Sequence, residues 1–154
     1  MKNKIKGFTL IELLVVIAII GILSAIVLAS LDTARNKGTD AAARSDLDNA
    51  RAQAEIFYDA SGQKYTGVCT TATGSTPGGI QDMITGAANA EGAVYTSGAT
   101  APTSAIAVCH DAASTWVAET PLKNAVGGFS FWCVDNTGTS TAQAAIGTAA
   151  TACP

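Results

Sequence analysis

The chain has 154 residues, 48% of them hydrophobic, and a formal net charge of −3, a size that suits one modest domain plus an appendage. Much of the hydrophobic content is alanine or lies before residue 32, so the remainder carries only a small core of the kind that needs covalent help. Without the lysines of the first heptad (Lys2, Lys4, Lys6), six basic residues face twelve acidic ones, which excludes the basic footprint of a nucleic-acid binder.

From Phe8 to Leu31 every residue is apolar or small and uncharged, apart from Thr9 and Glu12. As a helix this run is about 36 Å long, enough to cross a bilayer. Its sixteen Phe, Leu, Ile and Val residues favour insertion by roughly 5–10 kcal/mol. Glu12 opposes this by about 3 kcal/mol at most, and less near one end of the span. Insertion wins. The lysine-rich start stays cytoplasmic and the rest is exported, by the positive-inside tendency. An ordinary single-span anchor would tolerate Glu12 near the interface. A secretory signal cleaved after Val27-Leu28-Ala29 fits poorly, because the run is longer than a signal core and bears an acid.

The stretch "KGFTLIELLVVIAIIGILSAIV" resembles the N-terminus of type IV pilin-like proteins, which include pilins and the pseudopilins of type II secretion. The resemblance covers about residues 1–31. It implies that a prepilin peptidase cuts between Gly7 and Phe8, and that Phe8 becomes an N-methylated amino end. It further implies that Glu12 neutralises the Phe8 amine of a neighbouring subunit. An intramembrane acid needs such a partner, and the acid then acts as a docking group for self-assembly. An inner-membrane assembly platform is the remaining implied partner. Many members carry a proline where this chain has Ala29, while the helix-weakening Gly21 is present. Without proline's ring clash and missing N–H, the helix is expected to stay more continuous between Gly21 and Leu31.

Ala43, Leu47, Ala50, Ala54 and Phe57 recur at helical spacing, which predicts that the helix continues and buries a narrow stripe. Arg35, Lys37, Arg44 and Arg51, interleaved with Asp32, Asp40, Asp46 and Asp48, read as a solvated face. Gly38 is a soft point, and Ser61-Gly62 marks the end. A polar loop follows, Thr70 to Gly79, whose glycines lack a Walker lysine. Ile80, Met83, Ile84 and Ala87 predict a short helix ending near Gly92. Strands are expected at 93–96, 104–110, 115–120 and 128–135, with 140–146 returning antiparallel after an Asp-Asn-Thr-Gly turn. Trp116, Phe129, Phe131 and Trp132 are expected to supply the bulk of the core.

Cys69, Cys109, Cys133 and Cys153 show no CxxC spacing, and an even count in a small exported domain points to disulfides and an oxidising compartment. Three pairings are open and sequence alone does not choose among them. Neighbours along a meandering chain are easiest to join, which favours Cys69 with Cys109 and Cys133 with Cys153.

Signals for an enzyme are missing. His110 is the only histidine, and no GxSxG elbow appears. Asp135 and Asn136 offer two oxygens in a turn, as in calcium-binding pseudopilins, but calcium takes six or more; such residues ordinarily stabilise the turn itself. No cofactor, metal or nucleic acid is expected.

The expected fold is α+β: a long N-terminal helix packed on a small antiparallel β-meander head. Its parts are a leader (1–7), a transmembrane and filament-core helix (8–31), an amphipathic continuation (32–60) and a disulfide-stapled head (61–154). The expected function is a structural subunit of a type IV pilus-like filament. Before assembly it would be a single-pass cytoplasmic-membrane protein with its head outside, and afterwards part of an extracellular or periplasmic fibre. A type II secretion pseudopilin and a membrane-anchored extracytoplasmic binding module are the alternatives.

Overall fold

The structure is a computed structural model and describes residues 8–154 other than Ala99 and Ala149. The chain divides into two compact units, one running up to Arg35 and the other Asn36–Pro154. Helix α1 (Leu10–Ala60) supplies the first and opens the second.

Within the first unit the helix passes through Gly21 and Ala29 without a break, as the missing proline predicts. Every residue from Phe8 to Arg35 is exposed. The hydroxyls of Ser30 and Thr33 donate to the carbonyls of Val27 and Ala29 at 3.0 and 3.4 Å, so they need no outside acceptor. By length and composition α1 is able to cross a membrane.

In the second unit α1 buries the expected stripe, Ala43, Leu47, Ala50, Ala54 and Phe57, together with Asp40. Helix α2 (Gln81–Glu91) lies close by and buries Ile84, Ala87, Ala88 and Glu91. The many alanines have a purpose here, since small side chains let two helices approach. A Cβ added to Gly86 would stand only 3.1 Å from the Asp46 carboxylate on α1. Gly92 ends α2 in the left-handed region at φ +76°, its N–H returning to the carbonyls of Ala88 and Asn89.

The sheet contains β1 (Val94–Ser97), β2 (Ile106–Asp111), β3 (Trp116–Val126), β4 (Phe129–Asp135) and β5 (Ser140–Gln143), side by side in chain order. Pairings β2–β3, β3–β4 and β4–β5 are antiparallel, whereas β1 and β2 run parallel, with Val94 opposite Ile106. The meander therefore starts with one pair of the other sense. The link of residues 98–105 reaches at most about 26 Å, enough to carry the chain back along a four-residue strand.

Trp116, Tyr65, Val68, Ile80 and the α1 stripe share one apolar core. The expectation that four aromatics fill it needs correction. Only Trp116 is fully buried; Phe131 and Trp132 are half-buried, and Phe129 is 46% exposed. Phe129 lies past the point where the other strands stop, so no layer covers it. Asp40 and Arg44 also depart from the solvated face expected of them. Asp40 is buried, and the Arg44 guanidinium sits 4.7 Å from the ring centre of Trp132.

Cys69, in the loop between the helices, is bonded to Cys109 on β2, and Cys133 on β4 to Cys153 in the C-terminal tail. The Cα–Cα distances are 5.6 and 6.0 Å. Both bridges join chain neighbours.

Candidate assembly site

The first turn of α1 is closed by a reciprocal pair. Thr9 is the cap residue, and its backbone N–H and hydroxyl both donate to Glu12 Oε2 at 2.8 Å. The Glu12 N–H in turn donates to the Thr9 hydroxyl at 3.2 Å. This is a capping box, Thr-x-x-Glu, in which two orphan donors of a helix start are satisfied by each other's residues. The sequence carries this signal as "TLIE", a threonine followed three residues later by a glutamate. Phe8, next to the cap, is 81% exposed. Gly7 and the rest of the first heptad lie outside the described residues.

Chemically, the pair fixes a carboxylate at the start of an exposed apolar helix, with neutral donors as its partners. A helix start is itself favourable for negative charge. The carboxylate is therefore held in place while keeping the capacity to exchange a neutral donor for a cation.

The polar side chains of the head serve its own fold. Asp40 Oδ1 accepts the Lys123 N–H at 2.8 Å, and Asp40 Oδ2 accepts from the Asn124 backbone and side-chain amides at 3.2 and 2.7 Å. Glu91 Oε2 shares the Lys123 N–H at 3.1 Å. Burial, and then the neighbouring Asp40 carboxylate, push the Glu91 carboxyl above its usual range, against the pull of Lys123. Lys123 Nζ donates to the Ala90 carbonyl at 3.1 Å. Three elements, α1, α2 and β3, are tied at this one point.

His110 is held on both sides, with Nδ1 3.1 Å from the Ala150 carbonyl and Nε2 3.0 Å from that of Thr100. It borders a cavity of about 210 Å³ shared with Gly98, Asp111 and Thr115. Both of its ring nitrogens are turned to backbone carbonyls.

Asp135 and Asn136 are likewise occupied. Asp135 Oδ1 accepts from the Thr137 N–H and hydroxyl and the Thr139 N–H, while Oδ2 accepts from Cys153 N–H at 2.8 Å. Burial alone would raise the Asp135 carboxyl, but these donors outweigh it and hold it below the usual range. Asn136 Oδ1 accepts the Trp116 N–H at 3.3 Å. These two residues close the turn between β4 and β5.

Against this geometry stand the comparisons with known proteins. Residues 2–28 match the family model described as the prokaryotic N-terminal methylation motif. The chain is also similar to the type IV wide pilus major component PilA4 of Thermus thermophilus, at 43% identity over 61 residues. That stretch covers 40% of this chain and 46% of the relative, so the chain spans less than half the length of the protein it matches. No solved structure matches. With the methylation motif at its start, a long apolar helix behind it and a disulfide-bonded α+β head, this chain resembles type IV pilin-like proteins.

Proposed function

We propose that the chain is a structural subunit of a type IV pilus-like filament, processed between Gly7 and Phe8 by a prepilin peptidase and N-methylated at Phe8. Residues 1–7 are then the leader, 8–31 the membrane and filament-core segment, 32–60 its continuation, and 61–154 the head. The observation that carries this reading is the capping box, which sets Glu12 one helical turn from Phe8 at the start of an apolar helical stretch exposed from Phe8 to Arg35.

In hydrocarbon, that carboxylate is costly without a partner. Thr9 supplies two donors within the same chain but no positive charge. Cleavage before Phe8 creates a cationic amine. On assembly, Glu12 pairs with the amine of an adjacent subunit, fixing axial register while the apolar helices pack together. Until then the helix holds the subunit in the cytoplasmic membrane with its head outside.

The mass of the mature amino end tests this. A methylated Phe8 is the expected result. A chain that retains its first seven residues in cells would overturn the filament reading and leave a membrane-anchored module.

A further inference from the structure

The sheet does not end evenly. Val94 is the first residue of β1, Ile106 opposite it the first of β2, and Gln143, opposite Phe131, the last of β5. Pro121 faces Phe131 in the same row. Beyond this row only β3 and β4 continue, and they pair again at Val126 and Phe129 across the Gly127-Gly128 turn. Residues 122–130 therefore form a two-stranded tongue whose shorter β4 side limits its reach to roughly 10 Å past the rest of the sheet.

Its direction follows from contacts within the second unit. The turn after β4, residues 135–138, borders Arg51, Ala52 and Glu55 of α1. Trp132 meets Arg44, and Lys123 and Asn124 meet Asp40. Going from the turn to the tongue thus steps back along α1 towards Asn36. The first buried residue of α1, Asp40, anchors the base of the tongue.

The chemistry of this end differs from the rest of the head. Among the described residues of Asn36–Pro154, three large apolar side chains are exposed, Ile56, Val94 and Phe129. Val94 and Phe129 both belong to this end, one in the terminal row and the other on the tongue. The two carboxylates at the tongue's base, Asp40 and Glu91, are buried and bonded to backbone N–H groups. Lys37 and Lys123 are exposed, in a head that is otherwise acidic. Eight residues separate Leu31, the end of the apolar run, from Asp40, and they carry Arg35 and Lys37 against one acid, Asp32.

We propose that the β3–β4 tongue is a membrane-interface contact, which seats Phe129 among the headgroups of anionic lipid, with Lys37 and Lys123 facing their phosphates, while the subunit waits in the bilayer. Apolar and aromatic side chains beside lysines suit that boundary, and basic residues next to a span are drawn to anionic lipid. The short tether keeps the tongue near the surface at high effective concentration. The inference rests on the membrane-held state of the proposed function.

The test uses the full chain in phosphatidylcholine–phosphatidylglycerol vesicles, with and without brominated acyl chains. Phe129→Trp reports on the tongue, Leu23→Trp on the span, and the unsubstituted chain gives the background of Trp116 and Trp132. Phe129 is exposed, so this exchange leaves the core intact. The added emission of Phe129→Trp is expected to fall by roughly half with brominated lipid, and by less in neutral phosphatidylcholine. If Leu23→Trp is quenched and Phe129→Trp is not, the tongue contact is overturned and the membrane reading stands. If neither is quenched, the membrane reading itself fails. Equal quenching in neutral lipid overturns the anionic assignment. An emission shift that follows protein density but ignores bromine overturns the proposal in favour of a contact with a second copy.

Discussion

Asp40 on α1 accepts the backbone N–H of Lys123 on β3 at 2.8 Å, across 83 residues of chain. A carboxylate does here what a neighbouring strand would do elsewhere: it satisfies N–H groups that the bulge after Pro121 removes from the ladder.

Replacing it should therefore unfold the head more readily. Asp40→Ala leaves the Asn124 amides without their acceptor and the Lys123 N–H with Glu91 alone, and is expected to cost about 1–3 kcal/mol. Urea denaturation of the full chain in detergent, followed by tryptophan emission, measures this. A change below about 0.5 kcal/mol, the size of an ordinary surface exchange, would contradict the role given to Asp40.

Glu119 gives a pH dependence of definite sign. It is fully buried on β3, with Oε2 accepting the Ile146 N–H at 2.9 Å and Oε1 facing the Gln143 amide at 3.5 Å. Burial pushes its carboxyl from the ordinary 4.5 up to about 7, against the pull of these two donors. The folded state thus binds the proton more tightly than the unfolded one. This contribution to stability is full below about pH 4.5 and is lost as the pH rises through about 7, by about 3 kcal/mol in all. Glu119→Gln should flatten that slope, and the difference between the two stability–pH curves reads it directly. Parallel curves would rule out a proton held at Glu119.

The two bridges should differ in worth. On the chain-entropy model, Cys133–Cys153, with a separation of 20, contributes about 3 kcal/mol, and Cys69–Cys109, with a separation of 40, about 4 kcal/mol. Cys69 and Cys109 are both fully buried in the main core, which adds a packing loss to their removal. Double serine variants at each pair, compared by denaturation midpoint, are expected to rank in that order.

Glu12→Gln separates the capping role of Glu12 from the assembly role proposed for it. Glutamine also serves at the third position of a capping box, so the helix start survives while the charge is lost. Fibre yield seen by electron microscopy is expected to fall at least about tenfold, the value of a 1.4 kcal/mol loss per contact. Membrane-fraction content should stay the same. Fibres at the normal level would remove charge from the assembly argument.

The features that showed in the sequence are those fixed by local spacing. The stripe from Ala43 to Phe57 and the stop at Gly92 follow from helical period and from glycine's access to the left-handed region. The end of β4 at the Asp135 turn follows from turn chemistry. The features that did not show depend on partners far along the chain. Asp40 reads as a surface acid because its donors lie more than eighty residues away. The full length of β3 was hidden because Pro121 looks like a strand breaker, and its missing donor is tolerated where the ladder shifts register. The parallel sense of β1 depends on the link that follows it, and no residue type announces that. At the start of α1, Glu12 stands out as a charge in an apolar run, whereas Thr9, three residues before it, is uncharged and small.

Because the strands lie in the sheet in the order they are made, each can join a predecessor already beside it, and the last three do so through local hairpins. The seal with α1 is different: its stripe and Asp40 leave the ribosome long before Lys123 exists. The chain therefore exposes a half-finished helix face until late in synthesis, and that interval is when a chaperone would find it open.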